Sequence, residues 1–181
     1  TNIAPHNIDE VINATIYRLN NPNCTLPKLM TFIKGPDFPT GGIVQGIENI
    51  KEVFKTGRGK VVLRSKCEIV ESKTNTQIII TEIPYEVIKS QLVKKISDVY
   101  LNKDIDGITD VRDESGRAGL KIVVDLKKEA NSEMILNYLY KNTDLQINYS
   151  YNNIAIVNHT PTLMSLSDAL DAFIDHRREV V

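Results

Sequence analysis

The sequence of 181 residues has few of the residues that cross-link a small protein or ligate a metal, and no segment typical of a membrane span. It contains no tryptophan, three histidines and two cysteines, and no apolar run approaches the roughly 18 residues that cross a bilayer. Cys24 and Cys67 lie 43 residues apart without a CxxC or Cys/His spacing, so we expect free thiols in a cytoplasmic protein. A surplus of one charge is missing too, because 22 basic residues face 23 acidic ones. On net charge alone, nucleic acid is a poor ligand.

What is present is typical of a folded domain. Hydrophobic residues make up 41 % of the chain and charged residues 25 %, which excludes intrinsic disorder. The chain begins with Thr1 rather than methionine, and its last residues have the pattern of a helix without a cap. We therefore expect a piece of a longer protein.

The hydrophobic pattern predicts helices at both ends and a mixed region between them. Asn7 is placed to cap a first helix, with Glu10 completing a capping box, and Leu26–Ile33 predicts a short second helix. Residues 34–42 hold two prolines and three glycines, which predicts a loop. Ser165 begins a last helix. This order, without repeating βαβ units, predicts an α+β fold: a mixed sheet with flanking helices, helical at both ends.

Strands are predicted where the period of the pattern changes to two. From Gly59 to Ile69, apolar residues hold most odd positions and basic residues hold three even ones, which predicts one half-buried strand with a cationic face. Residues 77–83 predict its β-branched hairpin partner. Further helices are expected around 48–55, 87–100 and 132–140, and further strands at 107–111, 120–126, 145–149 and 154–157.

Positive charge is concentrated from Lys51 to Lys66, a segment with six cations and a single acid. Lys60, Arg64 and Lys66 alternate there, and neighbouring positions on one face of a strand lie about 6.6–6.8 Å apart, a spacing that can follow a phosphate backbone. An ordinary solvated face, with lysines protecting a sheet edge, explains the same pattern. The spacing leaves both interpretations open.

Two other clusters are ambiguous in the same way. Asn2, His6 and Asn7 offer hydrogen-bonding groups beside a helix N-terminus, where an anion is favoured, but Asn7 as a simple cap is the alternative. Ile12 lies on the apolar stripe of the same helix, and periodicity alone predicts a core residue. Five acids within residues 104–114 predict a solvated charged turn rather than a cation site, because arginines lie among them.

Six motifs stand in order along nearly the whole chain: Thr1–Asn7 (TNIAPHN), Gly35–Gly42 (GPDFPTGG), Thr56–Lys60 (TGRGK), Glu82–Tyr85 (EIPY), Val111–Ser115 (VRDES) and His176–Val181 (HRREVV). In these motifs the chain resembles the A subunit of bacterial type IIA DNA topoisomerases. Tyr17–Leu19 (YRL) and Thr143–Tyr149 (TDLQINY) are closer to the topoisomerase IV branch of that family than to the gyrase branch.

The resemblance implies a place in a larger enzyme. Residues 1–33 would be the end of the winged-helix region, 34–160 the tower (shoulder) domain and 161–181 the start of the coiled-coil arm. The family passes one duplex through a double-strand break in another, with Mg²⁺ and ATP bound by the partner subunit. The implied partners are double-stranded DNA and the topoisomerase IV B subunit, in a heterotetramer whose A subunits dimerise, in the cytoplasm at the chromosome and not at a membrane.

The resemblance also implies what this segment lacks. The nucleophilic tyrosine of the family follows an arginine, and none of the seven tyrosines here does. We therefore expect no catalytic residue, metal site or cofactor in the segment, which should be inactive and monomeric alone. Its implied role is to bind and bend the cleaved (gate) duplex for decatenation and relaxation in chromosome segregation. The alternatives are the same segment of the gyrase A subunit, which supercoils DNA, and a scaffold for the coiled-coil arm.

The site residues follow from the same resemblance. An isoleucine of the family wedges between base pairs, and by its position in the Asn-Ile-Asp-Glu-Val-Ile stretch that residue is Ile12, against the core interpretation. The basic strand face would meet the phosphates of the bent duplex. The expected DNA contacts are Asn2, His6, Asn7, Ile12, Arg58, Lys60, Arg64 and Lys66.

Overall fold

The computed structural model describes residues 2–181, which form six helices and nine strands. In chain order these elements are α1 Ile8–Asn20, α2 Leu26–Leu29, β1 Ile43–Gln45, α3 Ile47–Thr56, β2 Arg58–Arg64, β3 Lys66–Glu71, β4 Thr76–Glu82, α4 Lys89–Leu101, β5 Ile108–Asp113, β6 Ile122–Leu126, α5 Ser132–Asn142, β7 Gln146–Asn152, β8 Ile154–Val157, β9 Thr160–Leu163 and α6 Leu166–Val180. The mixture of antiparallel sheets with helices at both ends confirms the α+β prediction.

The chain divides into two compact units, each assembled from separate stretches. The first unit takes the residues through Pro39 together with Val44–Val62 and Asn148–Val181, and the second takes Thr40–Ile43 and Leu63–Ile147. The sequence-based division has three consecutive segments instead, so the domain names drawn from the resemblance stay a prediction.

The second unit is built on the antiparallel sheet β3-β4-β6-β5. Alternate positions of its central strands point into one core, as the period of two requires. Helices α4 and α5 cover that core with residues at helical spacing. The core cluster includes Ile78, Ile80, Leu92, Ile96, Ile122, Val124, Ile135 and Leu139, all fully or almost fully buried.

The first unit is largely helical. Helix α6 contacts α1, α2 and α3, and it buries Leu170 and Ile174 on its inner face. Ser165 caps α6 with a reciprocal capping box to Asp168, which satisfies the first-turn amides. The hairpin β8–β9 also belongs to this unit, while β1, β2 and β7 form a three-stranded sheet in that order.

Most predicted elements are confirmed, but two of them differ from the structure. Helix α2 ends at Leu29 because Thr31 and Phe32 bond back three residues, to Lys28 and Leu29, in tight turns. Strands β1 and β9 were not expected from the sequence. The single strand predicted from Gly59 to Ile69 is wrong, since β2 and β3 lie in different sheets and the buried Ser65 separates them.

Candidate nucleic-acid interface

The basic segment begins at a glycine that anchors it to a neighbouring hairpin. Gly57 ends α3 with φ 81°, and a Cβ at this position would lie 2.1 Å from the carbonyl oxygen of Met164. Its own carbonyl accepts from the backbone N–H of Asn153 (2.7 Å), and the Asn153 carbonyl accepts from that of Met164 (3.0 Å). Only glycine tolerates both the left-handed backbone and this close approach. The start of β2 is therefore fixed against the base of the β8–β9 hairpin.

Arg58 and Lys60 are the exposed cations of this site. Within residues 2–181 neither has an acidic side chain within ion-pair distance. Together with Ser150, Tyr151, Ile154 and Leu163 they line an open groove of about 880 Å³, and no carboxylate lines it. We call this the cationic groove. Its chemistry, two unpaired cations beside a hydroxyl and apolar side chains, suits a phosphate backbone.

Arg64, at the far end of β2, is engaged within the protein. Its Nε and Nη2 donate to Gln146 Oε1 at 3.0 and 2.7 Å. The guanidinium also lies 4.4 Å from the ring centroid of Tyr140, a cation–π distance. Arg64 thus has internal partners that Arg58 and Lys60 do not.

Lys66 is exposed and forms no ion pair among the described residues, but it lies on β3. Lys60 and Lys66 therefore belong to different sheets. For that reason the predicted row of three cations on one strand is wrong. This correction concerns the row and not the contacts of each single cation.

The start of α1 has the geometry of a helix cap. Asn7 Oδ1 accepts from the backbone N–H groups of Asp9 (3.0 Å) and Glu10 (3.2 Å), so the prediction that Asn7 caps α1 is confirmed. Among the described residues the Glu10 side chain gives no return bond, so the predicted capping box is not formed. Asn7 Nδ2 donates to Asp37 (3.3 Å). Three carboxylates thus surround an N-terminus where the amides of Asp9 and Glu10 are already bonded, which disfavours an anion there.

His6 lies in an aromatic setting next to this cap. Its Nδ1 is 2.8 Å from the Ala4 carbonyl, and its ring packs against Phe54 and Tyr151. Burial lowers the pKa of the His6 imidazole below its ordinary value, so the ring is neutral at pH 7. Asn2 is exposed, and its carbonyl accepts from the backbone N–H of Asn152 at 2.8 Å.

Ile12 is not a core residue, which corrects the expectation from periodicity. Only Ala14 of α1 is buried, and Ile12 is 47 % exposed. With Ile16, Leu166 and Phe173 it lines an apolar groove of about 520 Å³ in the first unit. We call this the α1–α6 groove.

The acidic segment after α4 is a network of ion pairs. Arg112 pairs with Asp110, Glu114 and Asp125, and Lys89 pairs with Asp113 at 3.0 Å. Hydrogen bonds from Ser115, followed by the contact with Lys89, lower the pKa of Asp113 to about 2. These carboxylates are accounted for by neighbouring cations, as a charged turn predicts.

Sequence reasoning missed the residues of β7 and the hairpin that complete the cationic groove. Ser150, Ile154 and Leu163 are more than 85 residues beyond Lys60, and no local motif links them to it. The available signal was the run of four apolar residues at 154–157, which predicted a strand but not the residues beside it.

Comparisons with known proteins identify the relatives of the chain. The sequence model for the family of DNA gyrase and topoisomerase IV A subunits matches residues 1–181. The chain is 53 % identical over 182 residues to the DNA topoisomerase 4 A subunit of Bacillus subtilis (strain 168), covering 100 % of this chain and 23 % of that protein. It is 54 % identical over 182 residues to the protein of that name from Streptococcus pyogenes serotype M1, covering 100 % of this chain and 22 % of the relative.

A third relative, the DNA topoisomerase 4 A subunit of Staphylococcus epidermidis (strain ATCC 12228 / FDA PCI 1200), is 53 % identical over 182 residues, across 100 % of this chain and 23 % of its own length. The chain thus spans about a quarter of the length of these curated relatives. All three carry the topoisomerase 4 name, the branch that the sequence motifs favour. A family match over every residue and identities above half establish that this chain belongs to the family of DNA gyrase and topoisomerase IV A subunits.

Proposed function

We propose that this chain is the segment of a topoisomerase IV A subunit that binds and bends the cleaved gate duplex during ATP-dependent strand passage. The parent enzyme would serve decatenation and relaxation in the cytoplasm, and the same segment of a gyrase A subunit is the alternative. The observation that carries the proposal is the cationic groove, with Arg58 and Lys60 exposed and unpaired beside the fixed hairpin base.

The groove is suited to hold a backbone rather than to read bases. Arg58 and Lys60 are basic side chains that face the groove, and each phosphate they neutralise releases a counterion. Lys66 adds a further exposed cation, whereas Arg64 would first have to leave Gln146 and Tyr140. Asn2, His6 and Asn7 contribute only hydrogen bonds in this proposal, because His6 is neutral and carboxylates adjoin Asn7.

Mg²⁺ and ATP belong to the partner subunit in this proposal. Among residues 2–181, no three His, Cys, Asp or Glu side chains converge as a metal site requires. The described residues also include no helix long and apolar enough to cross a bilayer. No step assigned to this segment runs through either cofactor, and the parent is expected to pair with the B subunit of the enzyme.

The test is charge reversal at the groove. We expect the double variant Arg58→Glu, Lys60→Glu to bind a duplex about 10- to 100-fold more weakly and to reduce the slope of log affinity against log salt by about 2. A matched control, Lys94→Glu with Lys141→Glu, makes the same charge change on exposed helix positions of the second unit. Duplex titration by fluorescence anisotropy at several salt concentrations measures both quantities.

The control identifies a general charge effect. If both double variants lose affinity equally, the groove has no special part in binding. If neither variant changes affinity or slope, the phosphate-contact proposal is wrong.

A second candidate function is favoured by the exposed apolar side chains of α1 and α6. Ile12, Ile16 and Phe173 are each about half exposed in the α1–α6 groove, which suits a scaffold that packs against other parts of the protein. Sedimentation beside duplex titration separates the two functions. Strong self-association without DNA binding would favour the scaffold, whereas the DNA proposal expects a monomer that binds duplex.

A further inference from the structure

The β8–β9 hairpin carries an apolar ridge. Ile154 is directly opposite Leu163, and Ile156 is opposite Pro161, so these four side chains share one face of the ribbon. Ile156 is 75 % exposed and Leu163 is 40 % exposed, so exposure increases away from the base of the hairpin. Four aligned apolar side chains on a two-stranded ribbon form a protruding surface rather than a scattered exposure.

The ridge is held rigid at both ends. Asn158 and His159 form the turn with φ 49° and 63°, the two positive values of a type I′ hairpin loop, whose twist matches that of its strands. At the base, Met164 and Asn153 are hydrogen-bonded to each other, and Asn153 to Gly57. A rigid apolar element loses little conformational entropy when it is inserted into a ligand.

The ridge continues into the cationic groove. Ile154 and Leu163 line the groove together with Arg58 and Lys60, and no acidic residue lines it. An apolar partner protein would make no favourable contact with the two unpaired cations beside the base of the ridge. A polyanion with an apolar interior can contact both the cations and the apolar ridge. Duplex DNA, with stacked bases inside a phosphate backbone, is such a ligand.

We infer that the β8–β9 ridge enters the minor groove of the bound duplex and that Ile156, backed by Pro161, wedges into a base step while Arg58 and Lys60 hold phosphates beside it. Isoleucine and proline are among the side chains that unstack steps from the minor groove, and the resulting kink brings more backbone to the protein. This inference rests on the proposed function and extends it. It assigns DNA bending to a second isoleucine, Ile156, in addition to Ile12. Ile12 lines the α1–α6 groove.

The experiment uses the 181-residue chain with a duplex of roughly 30 base pairs that has TA steps at its centre, because such pyrimidine–purine steps are easily unstacked. Dyes at the duplex ends report bending by energy transfer, and 2-aminopurine at the central step reports unstacking. The variants are Ile156→Ala, Ile156→Met and Ile12→Ala. Leu101→Ala is the matched control, because Leu101 is also highly exposed but lies in the second unit.

We expect binding by the unsubstituted chain to raise both signals, and netropsin, a minor-groove ligand, to compete. Ile156→Ala should abolish the 2-aminopurine signal and weaken binding roughly tenfold. Ile156→Met keeps an apolar wedge and should retain both signals, as should Leu101→Ala. Because Ile156 is exposed, circular dichroism should show each variant to be folded.

Three outcomes overturn the inference. Unchanged bending and unstacking in Ile156→Ala, with duplex binding intact, reject the wedge and leave the proposed function standing. If Ile12→Ala loses both signals and Ile156→Ala keeps them, Ile12 and not Ile156 bends the duplex. Unchanged DNA behaviour together with weaker capture of the purified partner subunit makes the ridge a protein interface. Absence of duplex binding by the unsubstituted chain instead rejects the proposed function itself.

Discussion

Two basic residues of one strand have different roles. Lys60 projects from β2 without an ion-pair partner among the described residues, whereas Arg64 donates two hydrogen bonds to Gln146 and stacks on Tyr140. A planar guanidinium suits stacking and forked hydrogen bonding, so Arg64 could not be replaced by lysine without loss. Alternation along the sequence treats the two as equivalent, but only contacts from distant residues distinguish them.

The distinction gives a prediction for a pair of variants. Arg64→Ala leaves Gln146 Oε1 without its donor and removes the stack on Tyr140, so we expect about 1–3 kcal/mol of lost stability. Lys60→Ala should change stability by under about 0.5 kcal/mol but weaken duplex binding several-fold. Urea midpoints and duplex titration of both variants provide the measurement. A stable Arg64→Ala chain with reduced affinity would instead place Arg64 among the DNA contacts.

Two of the family motifs contact each other at glycine positions, and this close contact explains the glycines at the end of the first motif. The Gly42 N–H donates to Glu82 Oε2 at 2.7 Å, and a Cβ on Gly41 would lie 2.5 Å from the same carboxyl group. The last two residues of the loop motif, Gly41 and Gly42, thus contact Glu82 of the motif Glu82–Tyr85 within the second unit. Sequence inspection identified both motifs and the turn, but not that one closes on the other.

At the scale of elements, the predictable part of the fold was the part decided by local pattern. The amphipathic periods of α4 and α6 and the β-branched run of β4 placed these elements within a few residues. The break at Ser65 was not predictable, because alternation continues across it and the change of sheet depends on pairing with distant strands. Strand β9 was not predicted because Pro161 lowers strand propensity, although proline is tolerated in a two-stranded ribbon.

The candidate site also has a part that local sequence predicts and a part that depends on the fold. Arg58 and Lys60 were found from the sequence because their cluster is local. The side of the groove formed by Ser150, Ile154 and Leu163 needed the fold, since the Gly57–Asn153 hydrogen bond brings residues almost a hundred positions apart together. The DNA contact at Ile12 is expected from the resemblance alone and stays a prediction, because its periodicity indicated burial that the structure does not show.

Helices α1 and α6 are joined by a partly buried ion pair. Arg18, whose side chain is 11 % exposed, meets Asp171 with two hydrogen bonds of 2.8 and 2.9 Å, and its remaining nitrogen donates to the Cys24 carbonyl at 2.8 Å. Removing the carboxylate would leave a partly buried guanidinium without its counterion. This pair fixes the two helices that form the walls of the α1–α6 groove.

We expect Asp171→Ala to lower the free energy of unfolding by about 2 kcal/mol, since Arg18 would lose its bidentate partner. Asp175→Ala is the control on the same helix, where the exposed pair with Arg178 spans 4.0 Å and should contribute under about 0.5 kcal/mol. Urea unfolding followed by circular dichroism measures both changes. Equal effects of the two substitutions would show that the Arg18 pair is not a structural lock.

For the whole molecule, the net charge of -1 conceals an uneven distribution. The segment from Lys51 to Lys66 has six cations and one acid, and four of the five acids of residues 104–114 are paired with arginine or lysine. Binding to a polyanion depends on such local surfaces rather than on the average, because salt screens charges beyond about 10 Å. The initial objection from net charge therefore has no force against the cationic groove.

The pH dependence of folding is the other property of the whole chain, and two groups should dominate it. Burial lowers the pKa of His6, and hydrogen bonds from Ser115 together with Lys89 lower that of Asp113 to about 2. In both cases the unfolded chain binds protons more readily than the folded chain. The stability that each group contributes is therefore complete above its unfolded pKa and is lost as the pH falls.

We expect the free energy of unfolding to decrease as the pH falls below about 6.5, where the unfolded His6 begins to protonate, and again between about pH 4 and pH 2 through Asp113. His6→Gln cannot protonate, so its urea midpoint should change less between about pH 7.5 and pH 5.5 than that of the unsubstituted chain. Asp113→Asn should alter only the acidic step. If His6→Gln loses as much stability over that interval, the buried neutral imidazole of His6 is not the source of the pH dependence.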